Sequence, residues 1–168
     1  MSRSRFLLAG AAAVVAACQP AALSDAQRSE IADGVKAAHH ALFASVTTRN
    51  ADTVMSYFLP DDRLTWAMNG SVFPSHDSIM RTARAYFAAA RSMTMTSAEP
   101  KITVLGPDAA ALTTTFRESV TDTSGHTDQM TYAWTAVYQR ELGAWKVMSV
   151  HESLLAPPPA PAVVRRRS

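Results

Sequence analysis

The feature that most constrains this chain is a change of period. Up to Arg91 apolar side chains recur every three to four residues. Beyond it they alternate at every second residue over three long runs, Ala110 to Thr121, Thr127 to Arg140 and Trp145 to Leu155. One pattern suits a helix and the other a strand, so the chain divides into a helical front and a stranded back. Turn residues punctuate the back half at Gly106-Pro107-Asp108, at Asp122 to Gly125 and around Leu142 and Gly143. Strands of this length twist and coil, and a curled sheet with helices on one side encloses a cone. The expected class is α+β: a cone-shaped, strongly curved antiparallel sheet closed by three N-terminal helices, with its open end as the natural pocket.

The front half supplies the helix signals. Ser24 with Gln27 three residues on resembles a capping box, and Ile31, Val35, Ala38, Leu42, Phe43 and Val46 fall on one stripe of a helix expected to reach about Arg49. Asn50 is the expected stop, with Asp52 capping a short second helix through Phe58 that ends at Pro60. Arg63 to Ala67 reads as a strand, Asn69-Gly70 as a two-residue hairpin turn, and Ser71 to Phe73 as the return. Ser75 is expected to cap a third helix that buries Ile79, Ala83, Tyr86, Phe87 and Ala90. Met93 to Leu105, with Pro100 inside it, reads as an edge strand or a bulge.

Composition narrows the chemistry. With 168 residues, 48% hydrophobic and 18% charged, the chain is expected to hold one globular domain with its own core. Its single cysteine excludes a disulfide scaffold and a thiolate zinc site. Five of the 16 Lys and Arg lie at the two ends, so residues 24 to 155 carry 11 against 14 acidic groups, about −3. A nucleic-acid binder needs its basic residues on a folded face, and nucleic acid is therefore not expected as a partner. No phosphate loop or dinucleotide fingerprint is present. His39 and His40 stand about 100 degrees apart on a helix, which is no metal spacing, so neither metal nor cofactor is expected.

The two ends read differently from the domain. Residues 1–18 have the form of an export signal: Arg3 and Arg5 give a basic start, and Phe6 to Ala17 an apolar stretch too short to span a bilayer. Val15-Ala16-Ala17-Cys18 resembles a bacterial lipobox, which implies lipidation at Cys18. Gln19 in the next position implies, by the same resemblance, a periplasmic protein anchored to the outer membrane of a Gram-negative cell. An ordinary signal peptide cut at a nearby small residue is the plainer alternative. Residues 19–23 read as a linker, 24–155 as the domain, and 156–168 as a Pro-rich basic tail, extended and solvated, whose Arg165 to Arg167 could alternatively meet an anionic surface.

The order of these elements, and the stretches Leu105-Gly106-Pro107-Asp108-Ala109-Ala110, Asp122-Thr123-Ser124-Gly125, Trp145-Lys146-Val147 and His151-Glu152-Ser153, resemble the nuclear transport factor 2-like superfamily in its SnoaL-like, ketosteroid-isomerase-type branch. The resemblance covers about residues 24 to 155 and extends to the association domain of calcium/calmodulin-dependent kinases. It implies a homodimer or larger ring formed through the sheet, and a hydrophobic cavity that some members use for isomerase, dehydratase or epoxide-hydrolase chemistry while others only bind. It also places Leu42 where ketosteroid isomerases carry the oxyanion-hole tyrosine and Trp66 where they carry the general base. Neither can exchange the required proton. Two pocket arginines of the kinase association domain map onto Ala136 and Glu152.

Alternation predicts which residues face the cone. Leu112, Thr114, Phe116, Glu118 and Val120 share one side of their strand, as do Tyr132, Trp134, Ala136 and Tyr138 of the next. If Gly143 takes the left-handed position of a three-residue loop, Met148, Val150, Glu152 and Leu154 join the Trp134 face; this register agrees with the association-domain mapping and is the expected one. A two-residue loop would bring Trp145, Val147, Ser149 and His151 there instead. His151, Glu152 and Ser153 cannot form a triad, because strand neighbours point to opposite faces.

The expected site is thus a cavity lined by Trp66, Phe116, Glu118, Tyr132, Trp134 and Glu152 that takes a small apolar or amphipathic ligand, with no catalysis required. A buried carboxylate must find a cation, accept hydrogen bonds or hold a proton. The alternative is therefore an isomerase, dehydratase or hydrolase with Glu118 or Glu152 as acid/base. Plainer still, Glu118 pairs across the cone and Glu152 lies at a wet rim. A third reading is a non-catalytic homo-oligomerisation module whose cone is filled by its own side chains.

Overall fold

The computed structural model describes residues 22–155. The expected signal segment with Cys18 and the expected tail lie outside the described residues. Helix α1 (Asp25–Ser45) opens on the expected capping box: the Ser24 hydroxyl accepts from the Gln27 N–H, and the Gln27 side chain accepts from the Ser24 N–H. The helix tightens into a single 3-10 turn (Val46–Thr48), and Arg49, left-handed at φ 52°, stops it. Asn50 therefore does not end the first helix but caps the second, α2 (Ala51–Met55), by accepting the Thr53 N–H; Asp52 sits inside the first turn. Strands β1 (Thr65–Met68) and β2 (Ser71–Phe73) form the expected hairpin, with Asn69 and Gly70 both left-handed. Helix α3 (His76–Ala89) is capped by Ser75 as expected, yet buries only Ile79 and Phe87; Tyr86 stays 39% exposed, and Ala90 has already turned into the sheet.

The stretch expected as one strand around Pro100 is two, β3 (Ala90–Ser97) and β4 (Lys101–Gly106), both paired with the same neighbour β5 (Ala109–Asp122). Proline cannot continue a ladder. The gap is closed by the Ala98 N–H donating to the Thr115 carbonyl and the Thr114 hydroxyl donating to the Ala98 carbonyl. With β6 (Thr127–Glu141) and β7 (Ala144–Leu154), the sheet runs β2-β1-β7-β6-β5-β3, with β4 also on β5. All described pairings of these strands are antiparallel except β1 with β7, which is parallel and gives a mixed sheet. The segment after α2 runs beside β7 as well, through Leu59 N–H to the Val147 carbonyl and Val147 N–H to the Tyr57 carbonyl.

The last hairpin corrects the expected loop while keeping its consequence. Leu142 and Gly143 are both left-handed in a two-residue turn, pairing Glu141 with Ala144 and Tyr138 with Val147. A bulge follows: the next pair is Val137 with Ser149, leaving Met148 as the extra residue. Beyond it Ala136 meets Val150, Trp134 meets Glu152 and Tyr132 meets Leu154. Glu152 therefore reaches the Trp134 face, and Val147 joins that face too on the turn side of the bulge.

Helix α1 covers one half of this concave face. Phe43 packs edge-on against Phe116 and Trp134 at centroid distances of 5.2 and 5.7 Å, and the fully buried His39 meets the Tyr138 hydroxyl at 3.2 Å. Gly34 allows the close approach of α1 to β7, since a Cβ there would lie 2.7 Å from the Trp145 indole nitrogen. Leu142 is 103% exposed and left-handed, so it bears backbone strain without packing in return. Replacing it with Asn, which tolerates that conformation, should stabilise the protein by about 1 kcal/mol. Chemical denaturation of Leu142→Asn beside the parent measures this, and an unchanged or lower midpoint would count against the turn described.

Candidate functional site

The half of the concave face that α1 does not cover is roofed by α2, the segment after it and α3, and a cavity of about 350 Å³ lies between. The volume falls toward the lower end of the range usual for small-molecule sites, roughly 300 to 1,000 Å³. The sheet supplies Trp66 and Met68 from β1, Glu118 from β5, Met130, Tyr132 and Trp134 from β6, and Glu152 from β7. Helix α3 supplies Thr82 and Tyr86. Five of the six expected lining residues meet there: Trp66, Glu118, Tyr132, Trp134 and Glu152. Phe116 does not. It is buried behind the wall, stacked on Tyr132 at 5.0 Å and edge-on to Phe43, because the first helix descends onto that point of the strand.

The aromatic wall is held by ring-to-ring contact. Phe58 stacks on Trp66 at 5.6 Å with an interplanar angle of 13°, and Trp66 meets Trp134 edge-on at 5.6 Å. Such pairs contribute roughly 0.5–1.5 kcal/mol beyond the area they bury. The indole nitrogens of both tryptophans are buried without a hydrogen-bond partner. They sit in the wall rather than on its surface. Leu42 and Trp66, at the positions that the resemblance gives to a tyrosine and a base, both line the cavity, whereas Ala136 lies buried outside the lining.

Two carboxyl groups give the site its chemistry. Glu118 is 3% and Glu152 6% exposed, and no Lys, Arg or His is among the lining residues. Burial pushes the Glu152 carboxyl up to about 8, and the nearby Glu118 charge adds to the rise. Burial likewise raises Glu118, an effect that the neighbouring Tyr86 hydroxyl opposes. One Glu118 oxygen, Oε1, is buried without a partner. Tyr132 is itself pushed up to about 12 by burial and then by the two carboxyls, and its hydroxyl donates to the Met130 sulfur at 3.1 Å. Glu118 thus faces a tyrosine across the cone, and Glu152 sits inside the wall rather than at a wet rim.

Sequence reasoning missed the contributions of Tyr86, Met95, Met130 and Asn69 to this lining. The sequence pattern places Tyr86 on a buried helix stripe and Asn69 in a turn. Met130 could have been found, since it shares the alternation of Tyr132 and lies opposite Glu118. The histidines are elsewhere: His151 is exposed on the opposite side of β7 from Glu152, His76 lies 3.7 Å from Asp77 at the start of α3, and buried His39 is lowered to about 4 by burial and then by His40.

Comparison with known proteins agrees with this architecture. No curated protein sequence matches the chain. Among solved structures, a candidate scytalone dehydratase from Novosphingobium aromaticivorans DSM 12444 superposes with a TM-score of 0.73 at 8% identity, covering 79% of this chain and 89% of its own. A hexachlorocyclohexane dehydrochlorinase, LinA-type3, from Novosphingobium barchaimii LL02 gives 0.66 at 12% identity, covering 83% and 97%. A nuclear transport factor 2-like superfamily protein from Salmonella enterica serovar Typhimurium gives 0.66 at 16%, covering 82% and 96%. At such identities the likeness is one of fold. The SnoaL-like domain profile matches residues 35–157, which is most of the chain. The curved mixed sheet, its N-terminal helices and this match together make the chain a member of the SnoaL-like domain family, with the nuclear transport factor 2-like cone fold.

Proposed function

We propose that this chain is an exported, lipid-anchored SnoaL-like domain that binds a small, largely apolar molecule in its cone. The observation that carries the reading is a 350 Å³ cavity with a mainly apolar and aromatic wall into which two carboxyl groups project with no cation beside them. An aromatic wall supplies affinity through burial, and a few polar groups supply orientation. A module whose cone is plugged by its own side chains would leave no such space. Export and anchoring rest on Arg3 and Arg5, the apolar run Phe6 to Ala17, and the lipobox-like Val15 to Cys18 with Gln19 after it. In this reading the signal segment 1–18 is cut before Cys18, which keeps the lipid as the first residue of the mature chain, 19–23 link the anchor to the domain at 24–155, and 156–168 form a tail. Homodimerisation would use the outer face of β5 to β7, where Thr113, Thr135 and other small polar side chains lie beside Arg117 and His151.

A second reading is acid/base catalysis by Glu118 or Glu152. It is favoured by a carboxyl poised near pH 8 inside a mainly apolar cavity, the kind of group that can give or take a proton at neutral pH. Two of the structural neighbours are named as a dehydratase and a dehydrochlorinase, and loss of water or hydrogen chloride calls for such a group.

Native mass spectrometry of the freshly purified full chain should reveal a copurified small molecule in addition to any lipid at Cys18. A bare polypeptide mass together with no binding of apolar probes would refute the ligand reading. In a binder, Glu118→Gln and Glu152→Gln weaken retention by about tenfold or less; in an enzyme the same changes cost on the order of 100- to 10,000-fold in turnover. The anchor has its own check: Cys18→Ser should abolish incorporation of labelled fatty acid and release the protein from the membrane fraction.

Stability should also follow pH in a definite direction. Glu152 ionises near its ordinary value of 4.5 when unfolded and at about 8 when folded, so between those values the folded state holds the extra proton. Stability therefore falls as pH rises from 4.5 to 8, through a term on the order of a few kcal/mol. Glu152→Gln, which cannot ionise, should melt like the parent near pH 4.5 and progressively above it toward pH 8. Parallel melting curves across the range would remove the buried carboxyl from the account.

A further inference from the structure

We propose that the cavity is selective for an apolar cation, a small hydrophobic amine or quaternary ammonium compound whose positive group sits against Glu152 and Glu118 while its hydrocarbon body fills the aromatic end. This rests on the reading that the cavity is a ligand site, and goes further by fixing the sign of the ligand's charge. Three observations carry it. Two carboxyl groups from neighbouring parts of the sheet converge on one cavity, although each alone is costly to bury. The groups facing them from every packed element are neutral or acidic: Tyr86 from α3, Tyr132 from β6, Asn69 from the β1–β2 turn and Thr82 from α3. Finally, Glu152 lies directly across the ladder from Trp134, whose ring, with Trp66 and Phe43, forms the kind of π surface that attracts a desolvated cation.

These features discriminate among ligand classes. An anion would meet two carboxyls and no compensating positive side chain. A neutral alcohol or ketone could hydrogen-bond to a protonated Glu152, but would leave the second carboxyl without a counter-charge. A monovalent cation supplies a counter-charge for one ionised carboxyl of the pair, and the two groups share it. It must then displace a proton. Because Glu152 alone holds its proton up to about pH 8, cation binding tightens as pH rises toward that value, by about tenfold for each unit where one proton is released.

The test uses the full chain in non-ionic detergent with two probes of nearly equal shape, benzyltrimethylammonium and its neutral carbon isostere neopentylbenzene. The first carries a charge that does not titrate. Isothermal titration calorimetry at pH 6, 7 and 8 should find the cation bound at least tenfold more tightly than the isostere at pH 8, with an advantage that shrinks by about tenfold per unit toward pH 6. Glu152→Gln should remove both the preference and its pH dependence; the comparison of probes on the unaltered chain stands whether or not that variant folds. Equal or tighter binding of neopentylbenzene at pH 8 would overturn the charge selectivity while leaving the cavity as a ligand site. Binding of neither probe would overturn this inference and count against the ligand reading itself.

Discussion

The domain is organised by the need to hide one face of three long strands. Leu112, Thr114, Phe116 and Glu118 on β5, Tyr132, Trp134, Ala136 and Tyr138 on β6, and Val147, Val150 and Glu152 on β7 all point to the concave side, and burying them is the main source of stability available to a chain without disulfides. Helix α1 can close only part of so long a surface. Where Phe43 and His39 reach the sheet, the space is filled. Beyond them the cover passes to α2 and to α3, which commits only Ile79 and Phe87 to burial. The cavity is the region where the strands outrun their helical cover.

That origin accounts for its character. A space left between packed layers inherits the residues of a core, which is why the wall is built of Trp66, Trp134, Phe43 and Phe58. Placing Glu118 and Glu152 in such a wall works against stability, and the protein carries them without a neutralising cation among the described residues of the lining. Groups that oppose folding and remain buried mark the part of a structure shaped by something other than folding.

Much of this was legible in the sequence because it depends on local rules. Ser24, Ser75 and the Asn69-Gly70 turn act through neighbours a few residues away, and period-two alternation on β5 and β6 identified the inward face residue by residue. What escaped depends on distant parts of the chain. The parallel pairing of β1 with β7 joins segments about eighty residues apart, and no local pattern announces it. Pro100 was visible as an interruption, but that both flanking strands would return to one partner was not. Phe116 alternates with Glu118 like any lining residue, and is withheld from the cavity only because Phe43 arrives in front of it. For the last hairpin, the resemblance to the association domain indicated the right inward face, but leucine is a poor indicator of a left-handed turn position, and nothing local announced the two-residue turn plus bulge that the chain adopts.

The bulge at Met148 has an evolutionary reach out of proportion to its size. Along β7 an imidazole and a carboxyl stand side by side on opposite surfaces, His151 outward and Glu152 inward, and the single unmatched residue decides between them. Were the ladder to run unbroken from the turn, Trp134 would confront His151. One codon gained between Met148 and His151, with the bulge retained, would therefore turn His151 into the chamber and Glu152 out of it, exchanging an acid for a base.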